Sequence, residues 1–206
     1  MQLLCILLTV WVWFYVVVSS FVVAAGVIIM SYLPVKMRWI DAWVRGWGAG
    51  TILFSGVRVK VTGREKIDVN KPYVFLANHQ SMYDIWTILG AFPPVIKWFA
   101  KQELFKIPLI GRAMTKAGYL SVDRAQPREA MKALKEAANT IKSGSSVVIF
   151  PEGTRTKDGH LQPFKKGGFV MGIEAGVPVV PVIIRNSFNI LPGGGLIVHP
   201  QKVELE

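Results

Sequence analysis

Cysteine occurs once in these 206 residues, as Cys5, so no intrachain disulfide can staple the fold. It lies inside an apolar run, where packing is its expected role. Histidine occurs three times, and His79, His160 and His199 lack ligand-like spacing. With no cysteine cluster beside them, no metal site is expected. No Gly-x-Ser-x-Gly segment exists, which removes the usual serine-hydrolase elbow. Acidic residues are scarce, 13 against 24 Lys+Arg, giving a formal net charge of +11. Such a surplus points to acidic partners: nucleic acid, anionic lipid or a phosphorylated substrate. The chain is 51% hydrophobic, which favours lipid over nucleic acid. No internal repeat or low-complexity tract is visible, and the length fits one ordinary domain plus an appendage.

Charge is absent altogether before Lys36. Leu3 to Leu33 is almost wholly apolar, and a helix needs only about 20 such residues to cross a bilayer core. The run is too long for a signal-peptide core and has no positive region before it. A membrane segment is therefore expected, either crossing the bilayer or dipping into one leaflet. Lys36, Arg38 and Arg45 follow it, which puts its C-terminal side in the cytoplasm. Pro34 is expected to end this helix. Met37 to Gly48 then reads as an amphipathic helix. Trp39, Ile40, Trp43, Val44 and Trp47 share one face, and Arg38, Asp41 and Arg45 the other. That helix suits the headgroup layer, or a surface where its Trp stripe packs on the following domain. Residues 1–56 are thus expected to form a two-helix membrane anchor, and 57–206 a separate domain.

From Val57 onward, short apolar runs alternate with helical ones. Val57 to Thr62, Tyr73 to Ala77, Tyr119 to Val122, Val147 to Phe150 and Val179 to Ile184 read as strands. Ser81 to Leu89, part of Leu104 to Ala117, Pro127 to Ser143 and Gly167 to Glu174 read as helices. In the third of these, Met131, Leu134, Ala138 and Ile141 share one face. This alternation predicts an α/β fold: a layered domain with a central, mostly parallel or mixed sheet flanked by helices. Pro192 to Gly195 reads as a loop. The chain stops in a strand-like segment, Lys202 to Glu206, so a short C-terminal piece is expected beyond it.

Two clusters carry chemistry. Asn78-His79-Gln80-Ser81-Met82-Tyr83-Asp84 leaves a buried strand at its C-terminal end, where α/β sheets place active sites. His79 can accept a proton near neutral pH, and Asp84 can fix its tautomer. On one ideal helix, residues five apart point about 140° from each other. The two can therefore meet only if His79 sits in the loop and Asp84 in the first helical turn. Ser81 is then a natural N-cap, and Ser81-x-x-Asp84 is equally an acceptable capping box. The second cluster, Phe150-Pro151-Glu152-Gly153-Thr154-Arg155, also follows a buried strand. Gly153 permits a tight turn, Arg155 offers a planar fork for phosphate oxygens, and Glu152 can orient a hydroxyl or that arginine.

These blocks resemble those of the 1-acylglycerol-3-phosphate acyltransferases and the wider glycerolipid acyltransferases. The histidine–four residues–aspartate block is similar to His79 to Asp84. The others resemble Gly118 to Arg124, Phe150 to Arg155, and Val179-Val180-Pro181-Val182, in that order. The resemblance covers roughly Val57 to Ile184 and includes the apolar N-terminus. Ser121 departs from it, since many members carry an aromatic or larger apolar residue there.

The resemblance implies acyl transfer from a thioester to the carbon-2 hydroxyl of lysophosphatidate. His79 would be the base and Asp84 its partner. Arg155, Arg124 and Lys101 would hold the phosphate, while Glu152, Gly153 and Thr154 would help place the substrate. Lys101 reads equally as a solvated charge. The donor would be acyl-coenzyme A or acyl-carrier protein, with no cofactor, no metal and no nucleic acid partner. The wider family also allows another lysophospholipid, glycerol 3-phosphate or a lipoamino acid as acceptor. Charge and anchor alone would also fit a non-catalytic binder of anionic lipid.

Overall fold

The computed structural model describes residues 2–92, 95–122 and 127–206. The chain opens with α1 (Gln2–Ser31) and α2 (Met37–Phe54). Strand β1 (Arg58–Val61), strand β2 (Val74–Ala77) and helix α3 (Tyr83–Ala91) follow. Next come β3 (Ile96–Lys101), α4 (Gln102–Phe105), α5 (Ile110–Lys116) and β4 (Leu120–Val122). The remainder is α6 (Pro127–Lys142), β5 (Ser146–Ile149), α7 (Gly167–Ala175), β6 (Val179–Val182), β7 (Ile184–Arg185), α8 (Ser187–Ile190) and β8 (Lys202–Leu205).

Five strands form a wholly parallel sheet in the order β4-β3-β5-β2-β6. A smaller sheet runs β1-β8-β7, with β8 parallel to β1 and antiparallel to β7. All four residues of β2 are buried, as are the first three of β5. Parallel strands covered on both faces need such continuous apolar runs. The expected α/β architecture is therefore present, and it differs from the sequence reading in several places.

First, Ile96–Lys101 is a strand that the sequence reading does not include. Lys97 is buried in it, and its ammonium meets Asp41 Oδ1 at 2.6 Å and the Ala117 carbonyl at 2.9 Å. Second, the single strand expected over Val179 to Ile184 is two. The chain changes sheet at Ile183, whose amide and carbonyl pair with Glu206. Third, the partly helical stretch expected over Leu104 to Ala117 is two helices, α4 and α5, separated around Pro108 and Leu109, where Leu109 has φ 65°. Fourth, α3 starts at Tyr83 after Met82, not at Ser81. Ser81 Oγ still accepts the Tyr83 amide at 3.2 Å, and it donates to the Leu191 carbonyl at 2.7 Å.

Helix α2 has three faces rather than two. Ile40, Val44 and Gly48 are buried, and a Cβ on Gly48 would stand 2.6 Å from Leu89 Cβ in α3. Gly90 of α3 approaches the α2 backbone as closely, so the two helices cross on small residues. Two tryptophans of the stripe turn to α1, Trp43 Nε1 donating to the Val23 carbonyl at 3.2 Å and Trp47 Nε1 to Ser19 Oγ at 3.1 Å, while Trp39 stays exposed. Asp41, expected on the solvent face, instead reaches Lys97 in the sheet. Helix α1 ends at Ser31, before Pro34 as expected. It buries Val12, Val16, Ala24 and Val27 and exposes most of its remaining apolar length. Ala138 and Ile141 of α6 are buried, as the helical face predicted; the side chains of Met131 and Leu134 lie outside the described residues.

Candidate active site

Strands β2 and β5 are adjacent and parallel, so the loops after them open on one edge. That brings the two sequence clusters together. His79 Nδ1 lies 2.8 Å from Asp84 Oδ2. The geometry is the one the spacing required, with His79 in the loop and Asp84 in the first turn of α3. Asp84 is fully buried, and the same oxygen accepts the backbone amides of Gln80 at 2.6 Å and Ser81 at 2.8 Å. One carboxylate thus closes the helix start and orients the imidazole; the two readings of Asp84 coexist. A carboxylate on Nδ1 holds the proton there and leaves Nε2 with its lone pair.

The rest of the loop is fixed from several sides. The His79 ring stacks on Phe150, with centroids 3.8 Å apart and planes at 10°. Its amide donates to Glu152 Oε1 at 2.6 Å, and its carbonyl accepts the Thr156 amide at 3.0 Å. Asn78 bonds both backbone groups of Ile184, through Nδ2 at 2.9 Å and Oδ1 at 2.7 Å, tying the site to the second sheet. Gln80 Nε2 donates to the Gly159 carbonyl at 2.7 Å. His79 keeps 12% side-chain exposure, so it is braced yet reachable.

Glu152 is buried and uses both oxygens on backbone amides, Oε2 accepting Gln162 at 2.9 Å. Its geometry braces the His79 loop rather than orienting Arg155. Gly153 has φ 78°, and a Cβ there would stand 2.8 Å from Lys165 Nζ. Thr154 is exposed and Arg155 half-buried. Lys101 ends β3 on the same sheet edge, is 63% exposed, and pairs with Glu103 at 3.0 Å. Arg124, with Asp123, lies outside the described residues. The Thr156 hydroxyl, with the His160 amide, holds the Asp158 carboxyl below the usual range. Burial pushes the Tyr83 phenol up to about 12, with the Ser55 side chain acting in the opposite sense.

Sequence reasoning assigned no role to Asn78, Phe150 or Lys165. Asn78 and Phe150 stand inside the quoted clusters, so their position was a usable signal. Lys165 is ten residues beyond Arg155, and only folding of the intervening loop brings it over Gly153.

A parallel α/β sheet with an imidazole–carboxylate pair at its C-terminal edge defines a class, and the chain belongs to the acyltransferase family. The family model, described as Acyltransferase, matches residues 58–185. Among individual relatives, the chain is 38% identical over 154 residues to the chloroplastic 1-acyl-sn-glycerol-3-phosphate acyltransferase BAT2 of Brassica napus. That match covers 73% of this chain and 44% of the plant protein. It is 33% identical over 199 residues to the 1-acyl-sn-glycerol-3-phosphate acyltransferase of Pseudomonas aeruginosa, covering 93% of this chain and 76% of that one. The chain spans about half the length of the chloroplastic relatives of Brassica napus and Arabidopsis thaliana that it matches. The fold is similar to the crystal structure of the 1-acyl-sn-glycerophosphate acyltransferase PlsC from Thermotoga maritima. There the TM-score is 0.86 at 31% identity, over 99% of this chain and 83% of that one.

Proposed function

We propose that the protein is a 1-acylglycerol-3-phosphate O-acyltransferase. It moves a fatty acyl group from an acyl thioester, coenzyme A or acyl-carrier protein, to the sn-2 hydroxyl of lysophosphatidate, giving phosphatidate for phospholipid synthesis. The observation that carries this reading is the 2.8 Å contact between His79 Nδ1 and Asp84 Oδ2 at the edge shared with the Glu152–Arg155 loop. The relatives' names support the choice of acceptor.

In this mechanism Nε2 of His79 takes the proton of the acceptor hydroxyl as its oxygen attacks the thioester carbon. Asp84 holds the imidazole tautomer and stabilises the imidazolium that forms. The tetrahedral intermediate then collapses, the carbon–sulfur bond breaks, and the thiolate leaves, taking the proton from His79. The nucleophile is the substrate, so no acyl-enzyme forms. General-base action of this kind contributes roughly 10²–10⁴-fold. Arg155, Arg124 and Lys101 would contact the acceptor phosphate, and Gly153 and Thr154 would border the glycerol. Glu152 acts one step back, by holding the amide of His79.

The same reading places the chain on a membrane. Helix α1 is long and apolar enough to cross one, with mean hydropathy 2.4. Yet the middle of the helix and the turn after its last residue engage the domain. Trp13 Nε1 donates to the Leu196 carbonyl at 2.8 Å, and Tyr32 faces Arg112 and Lys116 of α5. A helix of about 45 Å held against one body from Thr9 to the turn after Ser31 lies along it over that stretch. This favours immersion in one leaflet over crossing. The basic residues after α1 favour the cytoplasmic leaflet.

Product analysis tests the proposal. Purified protein is given lysophosphatidate and labelled acyl-coenzyme A or acyl-carrier protein. Labelled phosphatidate acylated at sn-2 is the expected product. Free fatty acid alone would indicate a hydrolase, and lipid binding without turnover would indicate a passive binder; either result sinks the reading.

A further inference from the structure

The loop between α8 and β8 carries two exposed apolar residues, Leu196 at 70% and Ile197 at 49% exposure. They stand beside α1. Trp13 Nε1 donates to the Leu196 carbonyl at 2.8 Å, and Thr9 Oγ1 accepts the Val198 amide at 3.0 Å. The Thr9 hydroxyl donates in turn to the Cys5 carbonyl at 2.7 Å. The Leu196 carbonyl and the Val198 amide are therefore satisfied by side chains of an apolar helix.

We propose that the 192–198 loop is a third membrane-inserting element, and that Leu196 and Ile197 enter the same leaflet as α1. Hydrocarbon supplies no hydrogen bonds, so an irregular segment can enter it only where its polar backbone is satisfied by protein. Thr9 and Trp13 meet that condition for the Leu196 carbonyl and the Val198 amide. Val10, Trp11 and Phe14 of α1, sequence neighbours of the tethering residues, are exposed as well. The other end of the loop reaches the active site. A Cβ on Gly193 would stand 2.3 Å from the Thr156 carbonyl oxygen and 3.4 Å from Arg155 Cβ. The loop thus joins the leaflet to the strand-end segment that carries Arg155 and contacts His79. An acceptor leaving the leaflet along this loop would meet the site without passing through water.

The inference rests on the membrane reading of α1, and one experiment separates the two. In a Cys5→Ala background, a spin label is placed in turn at Leu196→Cys, Phe14→Cys and Glu136→Cys, on protein bound to mixed phosphatidylcholine–phosphatidylglycerol vesicles. Labels at 196 and 14 should be open to oxygen and closed to a water-soluble nickel chelate, with the label at 136 the reverse. A label at 196 as open to nickel as that at 136, with 14 still shielded, overturns the third element and leaves the anchor intact. Nickel access at 14 as well overturns both. A functional check uses Leu196→Ser/Ile197→Ser. The ratio of acceptor KM in vesicles to KM for a monomeric short-chain acceptor should rise several-fold, and an unchanged ratio contradicts the inference.

Discussion

At the scale of single residues, Asp84 does two tasks through one oxygen, accepting Gln80 N, Ser81 N and His79 Nδ1 within 2.8 Å. Asp84→Asn puts a neutral amide there. The imidazolium then loses its counter-charge, and phosphatidate formation should fall by roughly 10²–10⁴-fold. The loss should appear in kcat more than in acceptor KM; a normal kcat would contradict the assigned role. Gly153 predicts a different pattern. At φ 78° a side chain is strained, by about 1–2 kcal/mol in this region. The added Cβ would also displace the Lys165 ammonium. Gly153→Ala should lower the unfolding midpoint modestly and raise acceptor KM, and unaltered kinetics would remove Gly153 from the site. Much at this scale was legible, because the spacing of His79 and Asp84 and their place after a strand both follow from the chain. The role of Glu152 was not legible. A carboxylate beside a glycine and an arginine looks like a substrate ligand, and only the fold shows that backbone amides occupy both its oxygens.

At the scale of elements, the informative failure is β3. Lys97 argues against a buried strand, because a desolvated ammonium is costly unless paired. Its partner, Asp41, is 56 residues earlier on α2, and no local pattern reveals the pairing. The same contact misled the reading of α2, where periodicity put Asp41 on the solvent face. Strand β2 and residues 147–149 of β5 are apolar throughout and are legible because no buried charge in them needs a distant partner. The ion pair links α2 to the sheet with side-chain exposures of 6% and 11%. Lys97→Met should destabilise the protein by about 3–5 kcal/mol, since it strands a buried carboxylate. Adding Asp41→Leu should recover most of that loss in denaturant unfolding. A single variant as stable as the parent would show that the pair contributes little.

For the whole molecule, pH reports on how tightly α3 is packed. The buried Tyr83 phenol ionises at about 12 in the fold. In the unfolded chain it ionises near 10. Between those values the unfolded chain gives up the proton first, so stability falls as pH rises from about 10 to 12. Burial also raises the Tyr119 phenol, which acts in the same direction. Tyr83→Phe should therefore flatten the alkaline loss of stability in unfolding midpoints, and an equally steep loss would show the phenol already solvated. The larger architecture joins a basic α/β body to an apolar face on α1. Composition made both halves readable, while the packing of α2 between α1 and α3 was not, because the sequence cannot say which body a hydrophobic stripe meets.

The central claim is that one imidazole, held by Asp84, activates the hydroxyl of a membrane-bound lysolipid. It is tested most directly by the rate of phosphatidate formation by His79→Ala on vesicles, with folding verified by an unchanged unfolding midpoint. The account predicts a fall of at least roughly 10²-fold. A rate within a few-fold of the parent would contradict it.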